Sequence, residues 1–92
     1  MIVGFRHKGL KRLFEKNDAS GIRGDLVDKV RTILSQLDQA RIIEDMHMTS
    51  FHLHPLKGDR KGFWSVTVRA DWRIVFRFAD GDAGDVELVD YH

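Results

Sequence analysis

The chain could transfer protons with its five histidines, its carboxylates and Tyr91, and these types stand close together in the segment His52-Leu53-His54 and at the chain end Asp90-Tyr91-His92. Histidine suits this task because its unperturbed pKa of about 6.5 lies near the pH at which proteins work. Fixed positive charge comes from Lys57, Arg69 and Arg73, and the planar fork of arginine matches the oxygens of a phosphate. These residue types together could catalyse acid–base chemistry at a phosphate group.

Metal-free cleavage of a ribose phosphodiester needs this combination. A base takes the proton from the 2′-hydroxyl, cations stabilise the crowded phosphate, and an acid protonates the departing 5′-oxygen. Such a cleavage yields a 2′,3′-cyclic phosphate and a 5′-hydroxyl. Cysteine is absent from the sequence, which removes thiolate catalysis, disulfides and most structural zinc sites.

Each of these residues also has an ordinary structural interpretation. His54 could be an exposed strand residue before a turn, and His52 with His54 could bind a metal, although no carboxylate or cysteine spacing completes a ligand set. Tyr91 and His92 could be an unremarkable chain end. Arg77 is interpreted as a solvated residue slightly more readily than as a functional one.

Composition bounds the remaining possibilities. The chain has 92 residues, of which 42% are hydrophobic, and this predicts one compact domain over residues 1–92. No apolar run approaches the roughly 20 residues that span a bilayer, and the first residues lack a secretory signal, so we expect a cytoplasmic protein with no membrane partner. The net charge of +1 favours a nucleic-acid partner only weakly, although the basic residues are clustered.

Two helices are predicted in the first half of the chain. From Leu26 the apolar residues form one helical stripe that extends to Leu37, and Asp25 in the first turn could pair with Lys29. A shorter helix is predicted over about Lys8 to Lys16, after a short strand at the start of the chain.

The second half has the period of β-structure. Two strands, Phe63 to Arg69 and one starting at Trp72, are predicted to join tightly around Ala70-Asp71. A two-residue turn would pair Arg69 with Trp72 and Val68 with Arg73. One face would then carry Phe63, Trp72, Ile74, Phe76 and Phe78. The other face would carry Trp64, Val66, Val68, Arg73, Val75 and Arg77, and we interpret it as a binding surface.

Further strands complete the prediction. Phe51-His52-Leu53-His54 is predicted to be a short strand with both histidines on one face, Asp80 to Gly84 a turn, and Val86 to Tyr91 a final strand. Residues 41–50 carry no clear pattern. The order is β-α-α-β-β-β-β, an α+β fold with a mostly antiparallel sheet and two helices on one face.

Three segments of the sequence resemble the HigB toxins of the RelE/ParE superfamily. They are His54-Pro55-Leu56-Lys57-Gly58-Asp59-Arg60, Trp64-Ser65-Val66-Thr67-Val68-Arg69 and the terminal Asp90-Tyr91-His92. The resemblance also includes the segment from Phe5 to Lys11 and that from Ala70 to Ile74, so it covers nearly the whole chain. It implies a compact RelE-like domain.

The resemblance implies a toxin of a type II toxin–antitoxin system that cleaves mRNA in the decoding (A) site of the ribosome. The implied partners are a HigA-like helix-turn-helix antitoxin, the 30S ribosome with its mRNA, and operator DNA through the antitoxin complex alone. No cofactor and no metal is expected. The implied catalytic residues are His54, Asp90, Tyr91 and His92, and the implied RNA-binding residues are Lys57, Arg69 and Arg73.

Two other functions fit the same superfamily or composition. A ParE-like protein poisons DNA gyrase without nuclease activity, and fold alone does not separate the two. His54 and His92 favour the nuclease, because a gyrase-binding protein needs no proton-transfer groups beside cations. A small nucleic-acid-binding module without catalysis is the third alternative, and the near-neutral net charge counts against it.

Overall fold

A computed structural model describes residues 1–91 of the chain as two helices followed by a four-stranded antiparallel sheet. The helices are α1 (Lys8–Lys16) and α2 (Val27–Gln39). The strands are β1 (His54–Pro55), β2 (Phe63–Arg69), β3 (Trp72–Ala79) and β4 (Asp82–Asp90), and they lie side by side in chain order. The α+β prediction, with both helices packed on one face of the sheet, is confirmed.

Helix α1 has the predicted bounds and identifiable signals at each end. The Nδ1 atom of His7 accepts a hydrogen bond from the backbone N–H of Leu10 at 3.1 Å, which caps the first turn. At the other end Asn17 adopts the left-handed conformation with φ 55°, as helix-terminating residues often do. Leu10 and Leu13 are buried against the core.

Helix α2 buries the apolar stripe that the sequence predicts. The buried positions in it are Val30, Ile33, Leu34 and Leu37. Each such side chain contributes about 1.5–3 kcal/mol when removed from water. The predicted pairing of Asp25 with Lys29 is wrong, because the Asp25 carboxylate pairs with Arg23 and Arg69, and Lys29 donates to the backbone oxygen of Ser50.

The register between β2 and β3 decides which side chains of β2 reach the core. Arg69 lies opposite Trp72 as predicted, and the turn between them is tight. The predicted pairing of Val68 with Arg73 is wrong, because β2 contains a β-bulge at Val68 that brings Thr67 opposite Arg73. A slip of one residue exchanges the two faces of a strand.

The predicted composition of both sheet faces therefore changes. Val66 and Val68 are buried against the helices with Trp64 packed beside them, whereas Phe63 lies opposite Arg77 on the other face. The side of the sheet without helices bears alternate residues of β2, β3 and β4, namely Phe63, Ser65, Thr67, Arg73, Val75, Arg77, Glu87 and Val89. We call this side the helix-free face.

The predictions for the segment Phe51 to His54 and for the β3–β4 turn differ from the structure, because the backbone there is irregular. Phe51 ends a short 3-10 turn and His52 has φ 49°, so the predicted strand over Phe51 to His54 is wrong and β1 begins only at His54. Only Asp80 and Gly81 form the β3–β4 turn, since β4 already starts at Asp82. Residues 41–50 contain two 3-10 turns.

The start of the chain runs along the outer edge of β4 without forming a full strand. Ile2 and Phe5 make isolated parallel bridges to Ala83 and Val86. The predicted N-terminal strand is thus reduced to two bridges, although its place beside the sheet explains the apolar residues there. No helix within residues 1–91 is long and apolar enough to cross a membrane.

Gly9 lies where α1 packs closely against the loop between α1 and α2, and the contact leaves no room for a side chain at this position. A Cβ atom at residue 9 would lie 2.6 Å from the backbone oxygen of Gly21 and 2.9 Å from Cε1 of His7. We expect Gly9→Ala to lower the free energy of unfolding by about 2 kcal/mol, because the clash outweighs the gain in helix propensity of about 1 kcal/mol. Urea denaturation measures the change. Gly24→Ala is the matched control, since a Cβ there meets nothing within 4 Å, and equal losses in both variants would contradict the prediction.

The cap of α1 should make stability depend on pH. Burial lowers the pKa of His7, an effect that Glu87 opposes and Arg12 reinforces. Because the folded-state pKa lies below the unfolded value of about 6.5, this contribution to stability is complete above pH 6.5 and is lost as pH falls through the folded-state pKa. We expect His7→Asn, which caps without titrating, to flatten the fall of melting temperature between pH 7.5 and 5. Parallel curves for both proteins would disprove it.

Candidate active site

His54 lies at the edge of the helix-free face, in the row of residues that crosses the middle of the sheet. Its strand partner is Ser65, which pairs in turn with Val75 and then with Glu87. The ring is exposed, and its Nδ1 atom lies 3.1 Å from the backbone oxygen of His52. A carbonyl oxygen only accepts, so this contact keeps the proton of the neutral ring on Nδ1 and leaves Nε2 able to take a proton.

Arg73 and Tyr91 lie together at the β2–β3 turn, in the next row of the same face. The guanidinium of Arg73 donates to the backbone oxygens of Ala70 and Trp72, and it lies 6.0 Å from the centre of the Tyr91 ring. The backbone N–H of Tyr91 donates to the oxygen of Asp71 at 2.9 Å, which fixes the backbone of Tyr91 directly after β4. From strand geometry the Cα atoms of His54 and Arg73 are roughly 12 Å apart.

Lys57 lies in the connection between β1 and β2, three residues after His54. It precedes the 3-10 turn Gly58–Arg60, and its backbone oxygen accepts from the N–H of Arg60 at 3.3 Å. Leu56 donates to the backbone oxygen of Phe63 at 2.9 Å, which anchors the connection at the sheet. The Lys57 side chain is exposed beside His54 along the chain.

Arg69 and Asp90 lie on the opposite side of the sheet from Arg73. Both pair with Trp72 in one row, and that row faces the start of α2. The guanidinium of Arg69 lies 3.3 Å from the Asp25 carboxylate. A cavity of about 170 Å³ opens there, lined by Arg23, Arg69, Ala70, Asp71, Trp72 and Asp90.

Asp25 is the charged group that organises this second cluster. Its carboxylate receives a hydrogen bond of 2.7 Å from Nε of Arg23, and this bond lowers the pKa of Asp25, with Arg69 adding to the effect. Asp25 therefore stays ionised and holds Arg69 toward α2. Of the residues implied by the resemblance, the structure thus brings Arg73 and Tyr91 together on the side of His54 and places Arg69 and Asp90 on the other side. His92 lies outside the described residues.

Sequence reasoning missed two features of the helix-free face. The hydroxyl of Ser65, directly opposite His54, is fully buried and has no hydrogen-bond partner within residues 1–91. Phe63 is covered by three arginines, of which Arg6 comes from the distant start of the chain, Arg77 from β3 and Arg60 from three residues before Phe63. No sequence period links such residues, so only the resemblance to a known fold could have indicated them. Among the described residues no three His, Asp or Glu side chains are grouped as metal ligands.

Comparison with known families gives a match over nearly the whole chain. Residues 3–92 match the model of a family described as the RelE-like toxin HigB of type II toxin–antitoxin systems. The chain is 50% identical over 92 residues to a protein of Proteus vulgaris named Endoribonuclease HigB, and the match covers 100% of both chains.

Solved structures share the fold at low sequence identity. YafQ from Escherichia coli strain BL21(DE3) superposes with a TM-score of 0.64 at 15% identity, covering 98% of this chain and 91% of that one. YoeB in the heterotetrameric YoeB–YefM toxin–antitoxin complex from Staphylococcus aureus gives 0.63 at 16% identity, covering 100% and 95%. A YoeB/ParE toxin from Agrobacterium tumefaciens gives 0.56 at 18% identity, covering 99% and 96%. These likenesses establish the fold alone.

Proposed function

The chain belongs to the HigB-like toxins of type II toxin–antitoxin systems, and from this premise we propose that it is an endoribonuclease that cleaves mRNA on the ribosome. The observation that carries the proposal is the 50% identity over the full chain to Endoribonuclease HigB. The face that bears His54, Arg73 and Tyr91 supports it, because it offers a proton acceptor and a guanidinium on one exposed surface. Residues 1–92 would act as one toxin domain.

The proposed chemistry needs no metal. Attack of the ribose 2′-hydroxyl on the adjacent phosphate forms a 2′,3′-cyclic phosphate and releases a 5′-hydroxyl. Nε2 of His54 can accept a proton, Arg73 can stabilise the charge that develops on the phosphate, and His92 can exchange the second proton. Tyr91 can stack on a base or donate a proton. Lys57 adds charge beside His54.

Asp90 and Arg69 contribute differently in this proposal. Because the row of Arg69 and Asp90 faces α2, Asp90 would not contact the phosphate. It would instead position Tyr91 and His92, which follow it in the chain. Arg69 would bind RNA only if the RNA strand wraps around the end of the sheet at the β2–β3 turn.

Dependence on the ribosome follows from the weakness of these groups. A site with ordinary acids and bases gains much of its rate when the substrate arrives bent for in-line attack, since orientation alone supplies several kcal/mol of the barrier. The ribosomal A site would supply that geometry, so the protein would act in the cytoplasm. The proposed partners are therefore the 30S ribosome with its mRNA and a HigA-like helix-turn-helix antitoxin, with operator DNA bound through the antitoxin complex. The family match favours this function over ParE-like inhibition of gyrase.

The first test compares the protein with its His92→Ala and His54→Ala variants on a programmed ribosome and on the same mRNA alone. We expect cuts in the A-site codon only with ribosomes, and a loss of at least about 100-fold in each variant, because general acid–base groups contribute about 10²–10⁴. Primer extension maps the 5′ ends. An absence of cuts in both settings, together with inhibition of gyrase supercoiling, would support the ParE-like alternative instead.

The separation of the two arginines gives a second prediction. We expect Arg73→Ala to reduce the cleavage rate by about 100-fold, as the loss of one donor to a developing oxyanion does, and Arg69→Ala to reduce it far less. The two variants remove the same charge from neighbouring strands and so control for each other. Single-turnover cleavage on programmed ribosomes measures both rates, and a larger loss in Arg69→Ala would place the RNA on the α2 side.

A further inference from the structure

Three arginines converge on one aromatic ring of the helix-free face. The Cζ atoms of Arg77, Arg6 and Arg60 lie 4.5, 5.7 and 5.8 Å from the centre of the Phe63 ring. They come from β3, from the start of the chain and from the β1–β2 connection, so the fold itself assembles the cluster. Phe63 is only 5% exposed beneath them.

Two carboxylates partly balance this charge. Asp85 lies 3.7 Å from Nε of Arg6 and 3.5 Å from Nε of Arg77, and Glu87 lies 3.4 Å from Nη1 of Arg60. Three positive and two negative groups leave one net positive charge. Both distances to Asp85 exceed the roughly 2.7–2.9 Å of a charge-assisted hydrogen bond, so the guanidiniums of Arg6 and Arg77 are held only loosely by this carboxylate and can still bind phosphate oxygens.

The cluster lies beside the row of His54. Phe63 and Ser65 are two residues apart on β2, so their Cα atoms are about 7 Å apart on one face. The row of Arg73 lies at a similar distance on the other side of Ser65. His54 is therefore flanked along the sheet by cations on both sides, an arrangement that suits a strand with regularly spaced negative charges.

We propose that Arg6, Arg60 and Arg77 form a second phosphate site, which binds a backbone phosphate of RNA next to the nucleotide being cleaved. This inference rests on the proposed nuclease function and adds a binding site to it. Stacking on Phe63 holds the guanidiniums in place before RNA arrives, which lowers the entropy lost on binding. Asp85 and Glu87 limit repulsion within the cluster, and their ion pairs are half-exposed and weak enough to yield to a phosphate.

Arg77→Met is the decisive variant, because it keeps an apolar stem over Phe63 and removes the charge. Arg31→Met is its control, since Arg31 is an exposed arginine of α2 and its loss changes the net charge equally. Binding is measured to an RNA oligonucleotide blocked by a 2′-O-methyl group at the cleaved nucleotide, and to ribosomes without mRNA. Both measurements are independent of cleavage, so they do not fail merely because the proposed nuclease activity fails. Thermal melting shows whether each variant remains folded.

We expect Arg77→Met to weaken binding about tenfold and to lower the salt slope of log Kd by about 0.7, while Arg31→Met leaves both nearly unchanged. A loss with the oligonucleotide supports a site for the phosphates of the cleaved strand. A loss confined to empty ribosomes would contradict the proposal, because it would assign the cluster to ribosomal RNA phosphates instead. Equal affinities for Arg77→Met and Arg31→Met with both RNAs would overturn the proposal. The three arginines would then serve only to shield Phe63 from water.

Discussion

The burial of β3 on both of its faces is the constraint on which the rest of this structure depends. Ile74, Val75 and Phe76 are each 0% exposed, although helices cover only one side of the sheet. On that side the stripe of α2 supplies the apolar cover. On the other side Val75 lies between Ser65 and Glu87 in the sheet, and Glu87 pairs with Arg60 from the β1–β2 connection. The surface proposed for RNA is thus made of charged groups that lie over an apolar strand, which explains how it is both fixed and exposed.

Two bulges then decide which side chains reach that surface. The bulge at Val68 sends Val66 and Val68 to the helices and leaves Arg69 beside Asp25. The irregularity opposite Phe76, where Asp85 has φ 51°, brings Asp85 within reach of two arginines. Extra residues of this kind redirect side chains without ending a strand. In this fold the two bulges place the charged cluster of Arg23, Asp25 and Arg69 on the side of the helices and His54 on the helix-free face.

The sequence allowed the regular elements to be predicted and left the irregular ones undetermined. Helix α1 was predicted with its observed bounds because an apolar stripe and the turn residues after Lys16 are local signals. The bulge at Val68 has no such signal, because Val suits either face of a strand equally well. The segment Phe51 to His54 has the residue pattern of a strand, yet His52 adopts φ 49°, a left-handed conformation that the pattern does not indicate. The implied site residues came from resemblance alone, and resemblance could not tell that Arg69 and Arg73 face opposite ways.

The edges of the sheet restrict how any partner can attach to this protein. Residues 1–6 cover the outer edge of β4 with four backbone hydrogen bonds of 2.8–3.1 Å, and the opposite edge is the two-residue strand β1, whose Pro55 has no N–H to donate. Among residues 1–91 the paired stretch of each edge is short, because β1 pairs only with Trp64 and Ser65 of β2, and the start of the chain bridges only Ala83 and Val86 of β4. A strand from a partner could therefore extend the sheet only at the end of either edge that lies near the β2–β3 turn.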